Sequence, residues 1–124
     1  MTTGADTHLE SDGKSVVVDA LYAVEKGQVL WIDYWTGIAA SDAQSGYQVA
    51  LTIDQREYQF TVPATLAVSK GNIVYFDPAQ VTGHVPDDAG YTTTAAEGLV
   101  ALCKATADKD SNNVVTGILL PLGV

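Results

Sequence analysis

Two neighbouring segments of the chain alternate with a period of two. From Tyr47 to Ile53 the odd positions, Tyr47, Val49, Leu51 and Ile53, are large and apolar, and from Tyr58 to Val62 the even positions are. Successive side chains of a strand point to opposite faces, so each segment predicts a strand with one buried and one wet face. The short Gln55-Arg56 link makes an antiparallel hairpin the economical connection, although no Asn-Gly or Asp-Gly marks a turn. Further on, 99–103 is apolar on both faces and 114–120 nearly so, the pattern of central strands. Asp108-Lys109-Asp110-Ser111-Asn112-Asn113 between them predicts a hairpin tip. Pro121 confines the end of the last strand to an edge or a terminus.

A ten-residue unit occurs twice. Val24-Glu25-Lys26-Gly27-Gln28-Val29-Leu30-Trp31-Ile32-Asp33 aligns without gaps on 68–77, 44 residues later, with Val, Lys, Gly and Asp identical. In each copy Lys-Gly forms a turn that accepts positive φ, the apolar run enters a core, and the Asp ends the strand by bonding local backbone. A Gly-apolar-Ala strand follows each: Gly37-Ile38-Ala39 directly, and Gly98-Leu99-Val100-Ala101 after an excursion over 78–97. Coincidence among common turn-strand patterns is the competing reading, and two copies are too few for a solenoid. The excursion holds Pro78, Gly83, Pro86, Asp87, Asp88, Gly90 and three consecutive threonines. Its length predicts an exposed loop that makes intermolecular contacts. Residues 1–14 are polar, with Leu9 as the one large aliphatic side chain after Met1, and predict a flexible arm. The expected organisation is that arm followed by one small all-β domain over 15–124, a β-barrel or a β-sandwich-like fold.

Composition supports sheet: 15 Val, 5 Ile and 13 Thr stand among 11 Gly and 4 Pro in 124 residues. Charge changes the picture more. With 15 acidic and 6 basic residues the net charge is -9, which disfavours a phosphate-tracking face and so direct nucleic-acid binding. Cys103 has no second cysteine to bridge and lies in an apolar run, as a small buried hydrophobe does. No apolar run approaches the roughly 20 residues of a membrane span, and residues 1–8 have no basic n-region. A soluble product of a cytoplasm is expected, with no membrane partner.

Motifs for chemistry fall short. Gly13-Lys14-Ser15 resembles the end of a phosphate loop, but His8 stands where the first glycine belongs; a turn into Ser15-Val16-Val17-Val18 is the better reading. Asp108, Asp110 and Asn112 alternate as in a calcium loop, yet Asn113 replaces the required Gly and Leu119 the Glu. His8 and His84 have no Cys/His spacing around them and read as solvated histidines. There is no Gly-x-Ser-x-Gly elbow and no polar activator near Cys103. The expectation is no enzyme, no cofactor and no metal. Tyr22, Trp31, Tyr34, Trp35 and Tyr47 gather around the first repeat. An exposed cluster suits a carbohydrate or protein contact, whereas the plainer reading puts Trp31 and Tyr75 in equivalent core sites with the tyrosines on the rim.

The order of these pieces resembles the capsid cement, or head decoration, proteins of tailed phages. The pieces are Gly27-Gln28-Val29-Leu30, Gly37-Ile38-Ala39-Ala40, the alternating pair ending at Pro63, and Gly71-Asn72-Ile73-Val74-Tyr75-Phe76-Asp77. Gly98-Leu99-Val100-Ala101 and the Val-rich strand 114–120 complete the series. The chain departs from the family's pattern at Phe76, where Trp is common, at Arg56-Glu57, where a glycine is common, and in a longer 78–97 loop. A recombinase label sometimes attached to such sequences conflicts with the acidic balance and the missing nucleotide loop.

The resemblance implies a non-enzymatic homotrimer on the outer surface of an expanded icosahedral capsid, fastening major capsid subunits. Capsid contacts are then expected in the arm, at Thr2, Thr3, Thr7, His8 and Leu9, and intermolecular, trimer-forming contacts at Trp35, His84, Val85, Pro86 and Tyr91. A tail or baseplate module and a carbohydrate-binding β-domain share the same all-β, acidic profile and are the alternatives.

Overall fold

The computed structural model describes residues 13–121, in which the regular structure is almost entirely strand. Strands β1 (Ser15–Asp19), β2 (Val29–Ile32), β3 (Trp35–Ala39) and β4 (Gln48–Thr52) form one antiparallel sheet in the order β1-β4-β3-β2. A second sheet is built from β5 (Glu57–Thr61), β6 (Ile73–Phe76), β9 (Val100–Ala105) and β10 (Val114–Leu119), in the order β5-β10-β9-β6. Between β6 and β9 lie a small hairpin, β7 (Val81–Thr82) with β8 (Val85–Pro86), and a 3-10 turn over Asp88–Gly90. The all-β expectation holds, and of its two forms the barrel is not realised, because neither sheet closes. Most of the arm expected over 1–14 lies outside the described residues.

The alternating segments become β4 and β5 with the expected faces, Val49, Leu51, Ile53, Phe60 and Val62 being buried. They do not pair as a hairpin. β4 pairs with β1 and β3, and β5 pairs with β10, so residues 54–56 carry the chain from one sheet to the other. With no turn chemistry in Gln55-Arg56, each strand finds partners distant in sequence; an Arg56–Asp54 ion pair and an Arg56 N–H bond to the Asp54 carbonyl shape the crossing. β9 and β10 occupy the central positions read from their two-sided apolarity and are joined by the 108–113 tip.

The repeat extends through both sheets, whose strand orders are the same once β1, β2, β3 and β4 are matched to β5, β6, β9 and β10. The hydrogen bonds match pair by pair. Glu25 N–H donates to Gln28 Oε1 at 2.9 Å, and Ser69 N–H to Asn72 Oδ1 at 2.8 Å. Lys26 N–H donates to Asp42 Oδ1 at 2.8 Å, and Lys70 N–H to Asp108 Oδ1 at 2.7 Å. Gly27 N–H donates to the Ala39 carbonyl and Gly71 N–H to that of Ala105; both glycines have φ +89°, which a side chain disfavours. At the other side of each sheet, Ala20 N–H to Tyr47 O has its counterpart in Val62 N–H to Asn113 O. Ala39 therefore corresponds to Ala105, so the strand Gly37-Ile38-Ala39 matches Cys103-Lys104-Ala105 and not Gly98-Leu99-Val100-Ala101. A register shift between Val74 and Tyr75 in the β6–β9 pair, absent from β2–β3, hides that match in the sequence.

Each half has its own core, and β2 serves both. Leu30 and Ile32 join Val18, Val49 and Leu51 in the first; on the opposite face of β2, Val29 and Trp31 pack against the second core, which holds Phe60, Val74, Phe76, Leu102, Val115 and Leu119. At roughly 1.5–3 kcal/mol for each large apolar side chain taken out of water, this shared strand couples the halves into one unit. The 78–97 excursion is more than an exposed loop: it folds back along the outer edges of β2 and β6. Trp31 N–H donates to the His84 carbonyl at 2.8 Å, and Tyr75 and Thr92 exchange backbone bonds at 2.7 and 3.0 Å. These bonds occupy edges that would otherwise invite another strand.

Candidate functional site

Two tight turns shape one end of the first half. Asp33 and Tyr34, between β2 and β3, have φ of 52° and 65°; Gly83 and His84, between β7 and β8, have 58° and 73°. Two positive-φ residues in a two-residue hairpin match the twist of the flanking strands, and Asn or Gly is the usual occupant. Tyr34 instead places a bulky aromatic there, 88% exposed, its ring edge-on to Trp31 at 5.9 Å. At the corresponding point of the second half, after Asp77, the excursion is inserted.

His84 is not a solvated histidine. Its Nε2 accepts the Leu21 N–H at 3.0 Å, its carbonyl accepts the Trp31 N–H, and its ring meets Tyr22 edge-on at 5.2 Å. It fastens the β7–β8 hairpin to the first half. Sequence reading missed this role, though Val-Thr-Gly-His-Val-Pro is a two-residue turn between β-branched residues and was the available signal. A recess of about 290 Å³ beside it is lined by Asp19, Leu21, Trp31, Ile32, Asp33 and His84. The Ser45 hydroxyl donates to the Leu21 carbonyl at 2.8 Å, and Ala20 N–H to the Tyr47 carbonyl, which ties residues 20–21 to the 45–47 turn.

The other expected contact residues are engaged internally. Trp35 and Val85 pack against the first core, Tyr91 against the second with its ring 6.5 Å from that of Phe76, and Pro86 is buried. Thr2, Thr3, Thr7, His8 and Leu9 lie outside the described residues. Trp31 is half-buried and joins the second core, so the two indoles do not form the exposed platform that the carbohydrate reading requires.

Between the halves runs a groove of about 560 Å³, lined mainly by β2, β3, β5 and the excursion, including Ile38, Tyr58, Asp88 and Tyr91. Burial, with a smaller contribution from Asp88 and then Cys103, pushes the Tyr91 hydroxyl up to about 12. Burial likewise raises the Cys103 thiol to about 12, which keeps it protonated and inert, as the apolar run implied. Among the described residues no group of three or more His, Cys, Asp or Glu side chains is placed to hold a metal ion.

What the arrangement offers is contact surface, and comparison with known families agrees. A family model described as phage cement protein matches residues 10–120. The chain belongs to the phage cement protein family. The match spans both halves and the excursion, so the duplicated two-sheet architecture is this cement protein's whole described body. No curated protein and no solved structure matches it. Membership makes it a structural component of a phage capsid that associates with capsid proteins.

Proposed function

We propose that this cement protein binds the outer surface of an expanded icosahedral capsid as a homotrimer and fastens neighbouring major capsid subunits. The observation that carries the reading is the family match across 10–120. A ligand that binds only the assembled lattice stabilises it by mass action, by about 2.7 kcal/mol at a hundredfold excess over Kd, and needs no chemistry. Three linked copies multiply weak contacts through effective concentration. The polar segment 1–14 serves as a strap, adding contacts at Thr2, Thr3, Thr7, His8 and Leu9, and the trimer contacts lie around the 78–97 excursion, near Val85 and Tyr91.

Purified protein mixed with undecorated expanded capsids should co-sediment saturably and raise the temperature at which the capsids open. Absence of saturable binding sinks the reading. Deleting residues 1–12 should weaken binding, and unchanged binding removes the strap. Sedimentation of the free and bound protein reports the trimer.

A further inference from the structure

The two halves share strand order and hydrogen bonds, so each is a control for what the fold requires of the other. Every large apolar side chain strongly exposed among the described residues, Val17, Leu21, Tyr22, Tyr34 and Tyr47, belongs to the first half. By the hydrogen-bond correspondence, the places of Val17, Leu21, Tyr22 and Tyr47 are taken in the second half by Gln59, Pro63, Ala64 and Asn113. The same backbone thus folds with polar or small residues at these positions, and folding does not account for the aromatic set.

Three of the five form one surface. Tyr22 abuts His84, His84 and Leu21 share a recess with Trp31, and the Tyr34 ring packs edge-on to Trp31. Tyr34 is the sharpest case, because a left-handed backbone disfavours any bulky residue there and an 88% exposed ring gains little from burial. Tyrosine combines a large apolar area with few rotors and a polar tip, which suits a contact surface.

We propose that this end of the first half, with Leu21, Tyr22 and Tyr34 at its centre, is the face that docks on the capsid subunit. The inference rests on the capsid-binding reading above. Local charge selects the occupant: Asp19 and Asp33 line the recess within the patch. A capsid surface with an apolar socket edged by Lys or Arg complements those two acidic residues.

The test uses the full chain and undecorated expanded capsids. A Leu21→Ser/Tyr34→Gly double variant should lose at least tenfold in capsid affinity without a lowered unfolding midpoint, while Gln59→Ala, at the second-half counterpart of Val17, binds like the parent. Failure of the parent protein to bind overturns the functional reading itself. Binding by the parent with undiminished affinity of the double variant overturns this inference alone. So does a double variant that loses self-association in capsid-free sedimentation while keeping its capsid affinity, since the patch then belongs to a second copy.

Discussion

Gly117 lies directly against Cys103: a Cβ at Gly117 would stand 3.3 Å from Cys103 Sγ and 2.8 Å from the Lys104 carbonyl oxygen. In the first half the corresponding residues are Leu51 and Gly37, and a Cβ at Gly37 would meet Leu51 Cγ at 2.5 Å. Each half keeps one glycine at this crossing, but on opposite strands, so bulk and space are exchanged. Gly117→Ala should cost about 1–3 kcal/mol in chemical denaturation. Adding Cys103→Ala should not rescue it, because the nearest atom is backbone.

Asp42 and Asp108 perform the same task in the two halves, each accepting the N–H of a turn lysine. Removing either carboxylate should destabilise by about 1 kcal/mol, and the double variant should lose nearly the sum, as separate sites do. A cost in only one half would break the equivalence.

Tyr34 holds a backbone conformation that glycine adopts freely. Tyr34→Gly relieves roughly 1–2 kcal/mol of left-handed strain and loses part of that gain to the greater freedom of glycine in the unfolded chain. The unfolding midpoint should stay level or rise by a few degrees in calorimetry; a clear fall would show that the Trp31 contact outweighs the strain.

His84 ties the β7–β8 hairpin to the first half through Leu21 and Trp31. His84→Ala removes the imidazole acceptor and places another side chain at φ 73°. Limited proteolysis should then cut within 78–97 several times faster, while the central strands stay protected. An unchanged rate would mean that the backbone bonds alone secure the hairpin.

Alkaline stability follows from the two raised acids. Unfolded, the Cys103 thiol and Tyr91 hydroxyl lose their protons near their ordinary 9.0 and 10.0; folded, both hold them to about 12. Between those limits the native state binds more protons, so stability falls as pH rises, by up to about 1.4 kcal/mol per pH unit per group. Below about pH 9 these groups leave stability unchanged. Cys103→Ala should flatten the decline between pH 9 and 12, and an identical slope would assign it elsewhere.

Strand content and strand faces were legible because they are local: period-2 alternation in 47–53 and 58–62, and two-sided apolarity in 99–103 and 114–120, follow from geometry within one segment. The first ten residues of each repeat were legible too, since their Lys-Gly turns need a glycine at φ +89° and their Val and following apolar run need cores. The family resemblance drawn from these pieces also held.

Pairing partners were not legible, because a strand's alternation states which face is buried and not which neighbour completes the sheet. Hence Gln55-Arg56 read as a hairpin link where the chain in fact passes between sheets. The remainder of the repeat was hidden by the excursion, by the shift at Val74/Tyr75 and by the exchange of Gly37 and Leu51 for Cys103 and Gly117, which keeps one glycine at the crossing but moves it to the other strand. The sequence by itself determined an acidic, all-β cement protein with one turn-and-strand unit used twice. Only the tertiary structure decided that the whole body is duplicated and that the exposed aromatics lie in one half, because equivalence between distant positions is written in backbone hydrogen bonds that no local pattern encodes.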